Sequence, residues 1–214
     1  ISIEEKKFLK KIMPKKYIQY IPFGVDNNFW NAKKIKIKEE YILAIGNDNS
    51  RDWKTLIDSW DYSLPTLKIV TSKTLNTSKN NIHIIKGDWK ENFLTDEQIL
   101  SLYNGSKFVV IPLLETIQPS GQSVCLQAMA CEKPVIISSI SGLWDHSKLI
   151  HKENIMLVKP ENPSLLNRSI NELLSDNILY RKLAKNGREL VDKTYNVEKM
   201  SLYLKDYLNQ FSQN

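Results

Sequence analysis

The sequence predicts an α/β domain of three layers: a parallel sheet of about six strands between helices, with further helices at the C-terminal end. Three observations predict it. Short apolar runs alternate with stretches of helical periodicity from Tyr41 to Val158. Those runs are continuous rather than alternating, as strands covered on both faces require. Beyond Val158 the strands stop and only helical spacing continues. No internal repeat and no low-complexity linker divides the 214 residues.

Taken in order, Ile3–Met13 reads as a short Lys-rich amphipathic helix, and Pro14 stops it. Tyr17–Pro22 reads as a short extended piece, and residues 24–40 as a polar, Asn- and Lys-rich loop. The strands follow at Tyr41–Ile45, Leu67–Val70, Ile82–Ile85, Phe108–Pro112, Pro134–Ser138 and Ile155–Val158. Between them, Arg51–Trp60 has apolar residues at helical spacing, and Thr95–Tyr103 opens on a capping box of Thr95 with Gln98. Gly121–Cys131 is a compact, mostly apolar helix. Asn162 and Pro163 supply an N-cap and a first-turn proline to a helix carrying Leu166, Ile170 and Leu173. Ile178–Val191 and the run from Val197 to Phe211 complete the set. In such sheets ligands bind outside the carboxyl ends of the strands, so the loops after Ile45, Val70, Ile85, Pro112 and Ser138 are the places to look for chemistry.

Composition narrows the function classes. Apolar residues are 42% and charged residues 25%, which suits a soluble core-forming domain and excludes a disordered tail, a collagen-like fibre or a disulfide scaffold. The two Cys, Cys125 and Cys131, lie six apart on one apolar helix and read as reduced core thiols in a cytoplasmic protein. No apolar run reaches the roughly 18–20 residues of a membrane span. No secretory pattern opens the chain, which starts at Ile1 rather than Met and so reads as a fragment. The three His show no metal-ligand spacing, so no metal site is expected. The net charge of +6 is polarised: residues 1–38 carry +7 and the remainder −1. Only four of the 30 basic residues are Arg, and no basic stripe is interleaved with aromatics, which argues against nucleic acid. The basic end instead suits an anionic membrane surface.

Two loops carry candidate chemistry. The first, residues 46–54 (GNDNSRDWK), places Arg51 and Lys54 between a strand and a helix, where a guanidinium can bind two oxygens of a diphosphate. Its plain alternative is a solvated helix start with Arg51 paired to Asp52 or Asp48. It is no dinucleotide fingerprint, since no Gly-x-Gly-x-x-Gly occurs. The second, residues 113–127 (LLETIQPSGQSVCLQ), leads into a helix opening at Ser120, Gly121, Gln122 and Ser123. Free N–H groups and the positive dipole end make such a start an anion site, and Gly121 allows close backbone approach. Glu115 stands alone in this loop, either as acceptor for ligand hydroxyls or as a plain surface carboxylate.

Together these residues resemble the C-terminal, donor-binding half of a retaining GT-B glycosyltransferase of family 4. Four ordered segments carry the resemblance: IPFGVDNNFW (21–30), YILAIGNDNSRDWKTLI (41–57), PSGQSVCLQAMACEKPVIIS (119–138) and the stretch from GLWDH to ENIMLVKPEN (142–162). The resemblance implies a Rossmann-like domain over residues 39–214 and a basic crossover segment over 1–38. It implies hexosyl transfer from a UDP- or GDP-linked sugar, with no cofactor, no metal and retention of configuration. The acceptor would be a polysaccharide, glycolipid or lipid-linked sugar in bacterial surface or capsule synthesis. It further implies a partner N-terminal domain that binds the acceptor, without which this half is inactive.

Residue by residue, the resemblance places Arg51 at the family's diphosphate-binding Lys. Asn47, beside Gly46, falls where the family usually has Arg, with Lys54 as a partial replacement. Gln127 takes the place of the Glu that contacts ribose, and Glu115 substitutes for the Glu that contacts the sugar. The loop Lys86–Asp88, with Gly87, corresponds to base recognition. Glu132 stands where the family has a helix-ending Gly. The alternative function is a nucleotide- or anion-binding module without transfer activity.

Overall fold

The computed structural model describes residues 2–33, 41–87 and 94–209. Its sheet comprises β1 (Tyr41–Ile45), β2 (Thr66–Thr71), β3 (Ile82–Lys86), β4 (Ser106–Ile111), β5 (Val135–Ser138) and β6 (Met156–Val158). All neighbouring strands pair in parallel, in the order β3-β2-β1-β4-β5-β6. The helices are α1 (Ile3–Ile12), α2 (Trp53–Ser59), α3 (Asp96–Gly105), α4 (Gln122–Ala130), α5 (Pro163–Ser175), α6 (Asn177–Thr194) and α7 (Val197–Asn209). The six expected strands and the expected helices are all present, with ends displaced by a few residues. Phe211, Asp88 and the 38/39 boundary lie outside the described residues.

The three layers follow from the two-residue period of a strand. Leu43, Val109, Ile111, Val135 and Ile137 point into one core, covered by Leu100 and Tyr103 of α3 and by the apolar residues of α4. Their neighbours Ile42, Ala44, Phe108, Val110 and Ile136 point into the other, covered by Trp53 and Leu56 of α2 and by Leu166, Ile170 and Leu173 of α5. Helix α6 contributes to both cores, with Val191 on one side and Leu179 and Leu183 on the other. Both cysteines are free and buried in the first core.

Local chemistry sets the helix ends. Ser2 and Glu5 form a capping box at the start of α1, and Thr95 and Gln98 form one at α3. Asn162 caps α5 with Pro163 in its first turn, while Asp176 ends α5 and accepts from the Ile178 and Leu179 N–H groups of α6. Helix α4 closes in a Schellman turn: the Lys133 N–H reaches the Ala128 carbonyl at 2.9 Å and the Glu132 N–H the Met129 carbonyl at 2.9 Å. Glu132 therefore stands in the left-handed region, at φ 55°. The turn that a glycine would make is present without the glycine.

The leading segment is stitched to the end of the chain. Val25 bridges Asn196, giving its N–H to the Tyr195 carbonyl and receiving the Val197 N–H. Trp30 is buried edge-on to Tyr103 in the first core. Tyr17–Pro22 forms no strand; pairing comes later, at Val25. A side chain at Gly24 would stand 2.2 Å from the Asn196 carbonyl oxygen, so glycine is what lets the segment come this close.

Candidate functional site

The strand order reverses direction between β1 and β4, and the loops leaving these two strands diverge to open a crevice. Backbone bonds lock the loops together below it. The Asp52 N–H reaches the Pro112 carbonyl, the Leu114 N–H reaches the Ser50 carbonyl, and Arg51 bridges Leu113. These bonds carry the Arg51 side chain under the crevice, where it is almost wholly buried at 2% exposure.

There the guanidinium is held by the protein through Nε and Nη1. Its Nε donates to the Ile45 carbonyl at 3.2 Å and Nη1 to the Ser120 hydroxyl at 3.2 Å. Nη1 also lies 3.4 Å from Asp48 Oδ2, while the Ser120 hydroxyl donates to Asp48 Oδ1 at 2.9 Å. Burial lowers the Arg51 pKa, and the Asp48 charge opposes that shift. Of the two carboxylates expected as plain partners, Asp48 is the one used. Asp52 instead accepts from the Thr55 N–H as the N-cap of α2.

Gly121 sits directly on this cation. Its φ is 72°, and a Cβ there would stand 2.7 Å from Ile111 and 3.1 Å from Arg51 Nη1. Helix α4 starts immediately after, and no side chain caps it. Its first N–H groups therefore open toward the crevice beside a buried guanidinium.

Two adjoining clefts result. One, of about 190 Å³, is lined by Gly46, Asn47, Asp48, Arg51, Gly87 and Ser123 over an apolar wall that includes Val70, Leu94 and Val124. The other, of about 470 Å³, runs from Phe23 and Ser50 past Gln118 to Ser120, Gly121, Gln122 and Ser123. Asp48 and Ser123 border both.

The structure thus gathers Gly46, Asn47, Arg51, Gly87, Ser120, Gly121, Gln122 and Ser123 at one crevice. It does not gather three other candidates. Lys54 points outward from α2, 85% exposed and paired with Asp58. Glu115 is exposed, accepts from the Ser141 N–H at 2.8 Å, and lines neither cleft. Gln127 lies on the next turn of α4 beyond Ser123, accepts from the Tyr103 hydroxyl at 3.1 Å, and also lines neither cleft.

Asn47 is present but busy. Its amide donates to the Gly87 carbonyl at 3.0 Å and accepts from Thr71 Oγ1 at 3.2 Å and the Ser72 N–H at 2.6 Å. It ties together the loops after β1, β2 and β3. Sequence reasoning missed Lys73, whose Nζ reaches Asn49 Oδ1 at 2.7 Å. That lysine, rather than Lys54, approaches the crevice. It also missed Phe23 as cleft lining, although Phe23 lies inside the quoted segment 21–30. Among the described residues no group of three or more His, Cys, Asp or Glu is placed to hold a metal ion.

Comparison with known proteins bears on the fold and the family. An archaeal relative, an uncharacterized glycosyltransferase of Methanocaldococcus jannaschii, is 32% identical over 103 residues, 48% of this chain and 25% of its own length. The chain thus spans about a quarter of that relative. A sucrose-phosphate synthase from Thermosynechococcus elongatus superposes with a TM-score of 0.78 at 22% identity, over 100% of this chain and 58% of that one. Anabaena HepE, solved in complex with UDP-glucose, superposes with a TM-score of 0.72 at 16% identity, over 90% of this chain and 57% of that one. The fold is the Rossmann-like α/β unit of these GT-B glycosyltransferase neighbours. Residues 79–190 match the family described as glycosyl transferases group 1. With half of its length inside that match and its crevice at the switch point of the sheet, the chain is a member of the group 1 glycosyl transferases.

Proposed function

We propose that this chain is the donor-binding half of a glycosyltransferase, holding a nucleoside-diphosphate sugar across the β1/β4 crevice. One observation carries the reading: the uncapped start of α4, with left-handed Gly121, is seated on the buried Arg51 guanidinium where the two loops diverge. Rupture of the glycosyl–phosphate bond leaves negative charge on the diphosphate. Helix N–H groups and a guanidinium preorganised in a site shielded from water stabilise that charge. The apolar wall of Val70, Leu94 and Val124 beside Gly87 suits a nucleoside base, and HepE with its bound UDP-glucose supports a UDP-linked donor.

The same reading assigns charge neutralisation to these groups rather than to a metal ion, and hexosyl transfer with retention to the complete enzyme. The acceptor, of polysaccharide, glycolipid or lipid-linked type, would be held by a further N-terminal domain, so this half alone would bind donor without transferring it. The basic α1, with Phe8 and Ile12 exposed, supports peripheral contact with an anionic membrane. Retained binding to anionic vesicles after neutralising Lys6–Lys16 would overturn that part.

Titration with UDP, GDP and their sugar conjugates tests the central reading. Saturable binding of one nucleotide class is expected, weakened about tenfold or more in a folded Arg51→Met variant. No saturable binding to any of them, or an unchanged Kd in Arg51→Met, would overturn it. A second reading, a nucleotide-binding module without transfer, is favoured by one observation: Glu115, the sole acid assigned to the sugar, spends a carboxylate oxygen on Ser141 outside both clefts. An intact enzyme that binds donor but neither transfers nor hydrolyses it would establish that second reading.

A further inference from the structure

A carboxylate is an unexpected residue at a diphosphate seat, yet Asp48 borders both clefts. It lies 3.4 Å from Arg51 Nη1, and its Oδ1 accepts from the Ser120 hydroxyl at 2.9 Å and from the Ser50 N–H at 3.1 Å. Arg51 is 2% exposed at the side chain, whereas Asp48 is 43% exposed. The acid is thus the solvent-facing member of the pair. Among the described residues lining the two clefts, Arg51 is the one cation and Asp48 the one anion.

We propose that Asp48 is a resident counter-ion: it occupies the anion seat on Arg51 and Ser120 while the site is empty, and the donor diphosphate displaces it on binding. The inference rests on the donor reading above and adds to it a competitor built into the chain. Two physical arguments support it. A guanidinium charge buried this deeply with only neutral partners is strongly disfavoured by its lost hydration, which explains why a carboxylate is held there before the ligand arrives. A diphosphate placed on the α4 N-terminus with Asp48 still on Arg51 would set like charges a few ångströms apart, a repulsion relieved only when the carboxylate leaves. The half-exposed side of Asp48 gives it an open route into the larger cleft. The consequence is that affinity for the diphosphate is the difference between two anions competing for one cation, and is set lower than the seat alone would give.

Asp48→Asn tests this without dismantling the loop, because the amide oxygen still accepts from the Ser50 and Ser120 donors. UDP, or whichever nucleoside diphosphate the wild type binds, is titrated into folded wild type, Asp48→Asn and the control Asp58→Asn, which removes a carboxylate from the outer face of α2. Uridine, or the matching nucleoside, is titrated in parallel. The expected result is a diphosphate Kd about tenfold tighter in Asp48→Asn, with nucleoside affinity unchanged and Asp58→Asn like wild type. An equal or weaker Kd in Asp48→Asn overturns the inference while leaving the donor reading intact. So does the same gain in Asp58→Asn or for the nucleoside. Absence of diphosphate binding in wild type and Asp48→Asn alike overturns the donor reading and the inference together.

Discussion

At the scale of single residues, type and role came apart most clearly at Asn47. Its place in the chain suggested a missing cation, whereas its amide uses donor and acceptor together to join three loops. An arginine there has no acceptor for the Thr71 hydroxyl or the Ser72 N–H. Asn47→Arg should therefore destabilise the chain by about 1–2 kcal/mol, read from the urea midpoint, instead of improving nucleotide binding. Arg51 and Gly121 were legible because their chemistry is local: a rare arginine at a strand end and a glycine at a helix start. Glu115, Gln127 and Lys54 were less so. Which way each side chain turns depends on Ser141, Tyr103 and Asp58, partners that no local pattern names.

At the scale of elements, the apolar runs and capping residues located every strand and helix among the described residues, because period and end chemistry are written in consecutive residues. Glu132, at the position of a helix-ending glycine, keeps the Schellman turn after α4 but does so in the left-handed region. A non-glycine residue held at φ 55° stores about 1 kcal/mol. Glu132→Gly should stabilise by a net of about 0.5 kcal/mol, after the added flexibility of glycine in the unfolded chain. A higher urea midpoint at unchanged slope would show it.

The register of β6 offers a second check at this scale. The Leu157 N–H donates to His151 Nδ1 at 3.0 Å, a bond that only the neutral ring can accept. Partial burial, with Lys152 nearby, holds the His151 pKa below 6.5, against the pull of Glu172. As pH falls through 6.5 the unfolded chain takes up the proton first. The contribution is therefore full above that value and is lost between it and the lower folded-state pKa. His151→Asn should flatten the fall in unfolding free energy measured between about pH 7.5 and pH 5.

At the scale of the whole molecule, the crevice exists because the chain starts the sheet in the middle and builds outward both ways, and the order of strands decides where loops diverge. That order is invisible in the strand list, so sequence picked out the two framing loops by their chemistry, the arginine after β1 and the glycine before α4, while only the sheet shows that they leave adjacent strands. The leading segment is likewise part of the domain: Val25 and Trp30 lie in the first core. Trp30→Ala should cost about 3 kcal/mol in a chemical unfolding experiment, as for any large core aromatic. The Val25–Asn196 bridge extends the point to time. A segment that precedes the sheet has its backbone partner 171 positions later, after the last strand. On the ribosome the sheet can assemble outward from β1 while residues before it wait, unsheltered, for translation to reach α7. The segment around Val25 is thus among the last parts of the domain to dock, and a stretch dependent on chaperones during synthesis.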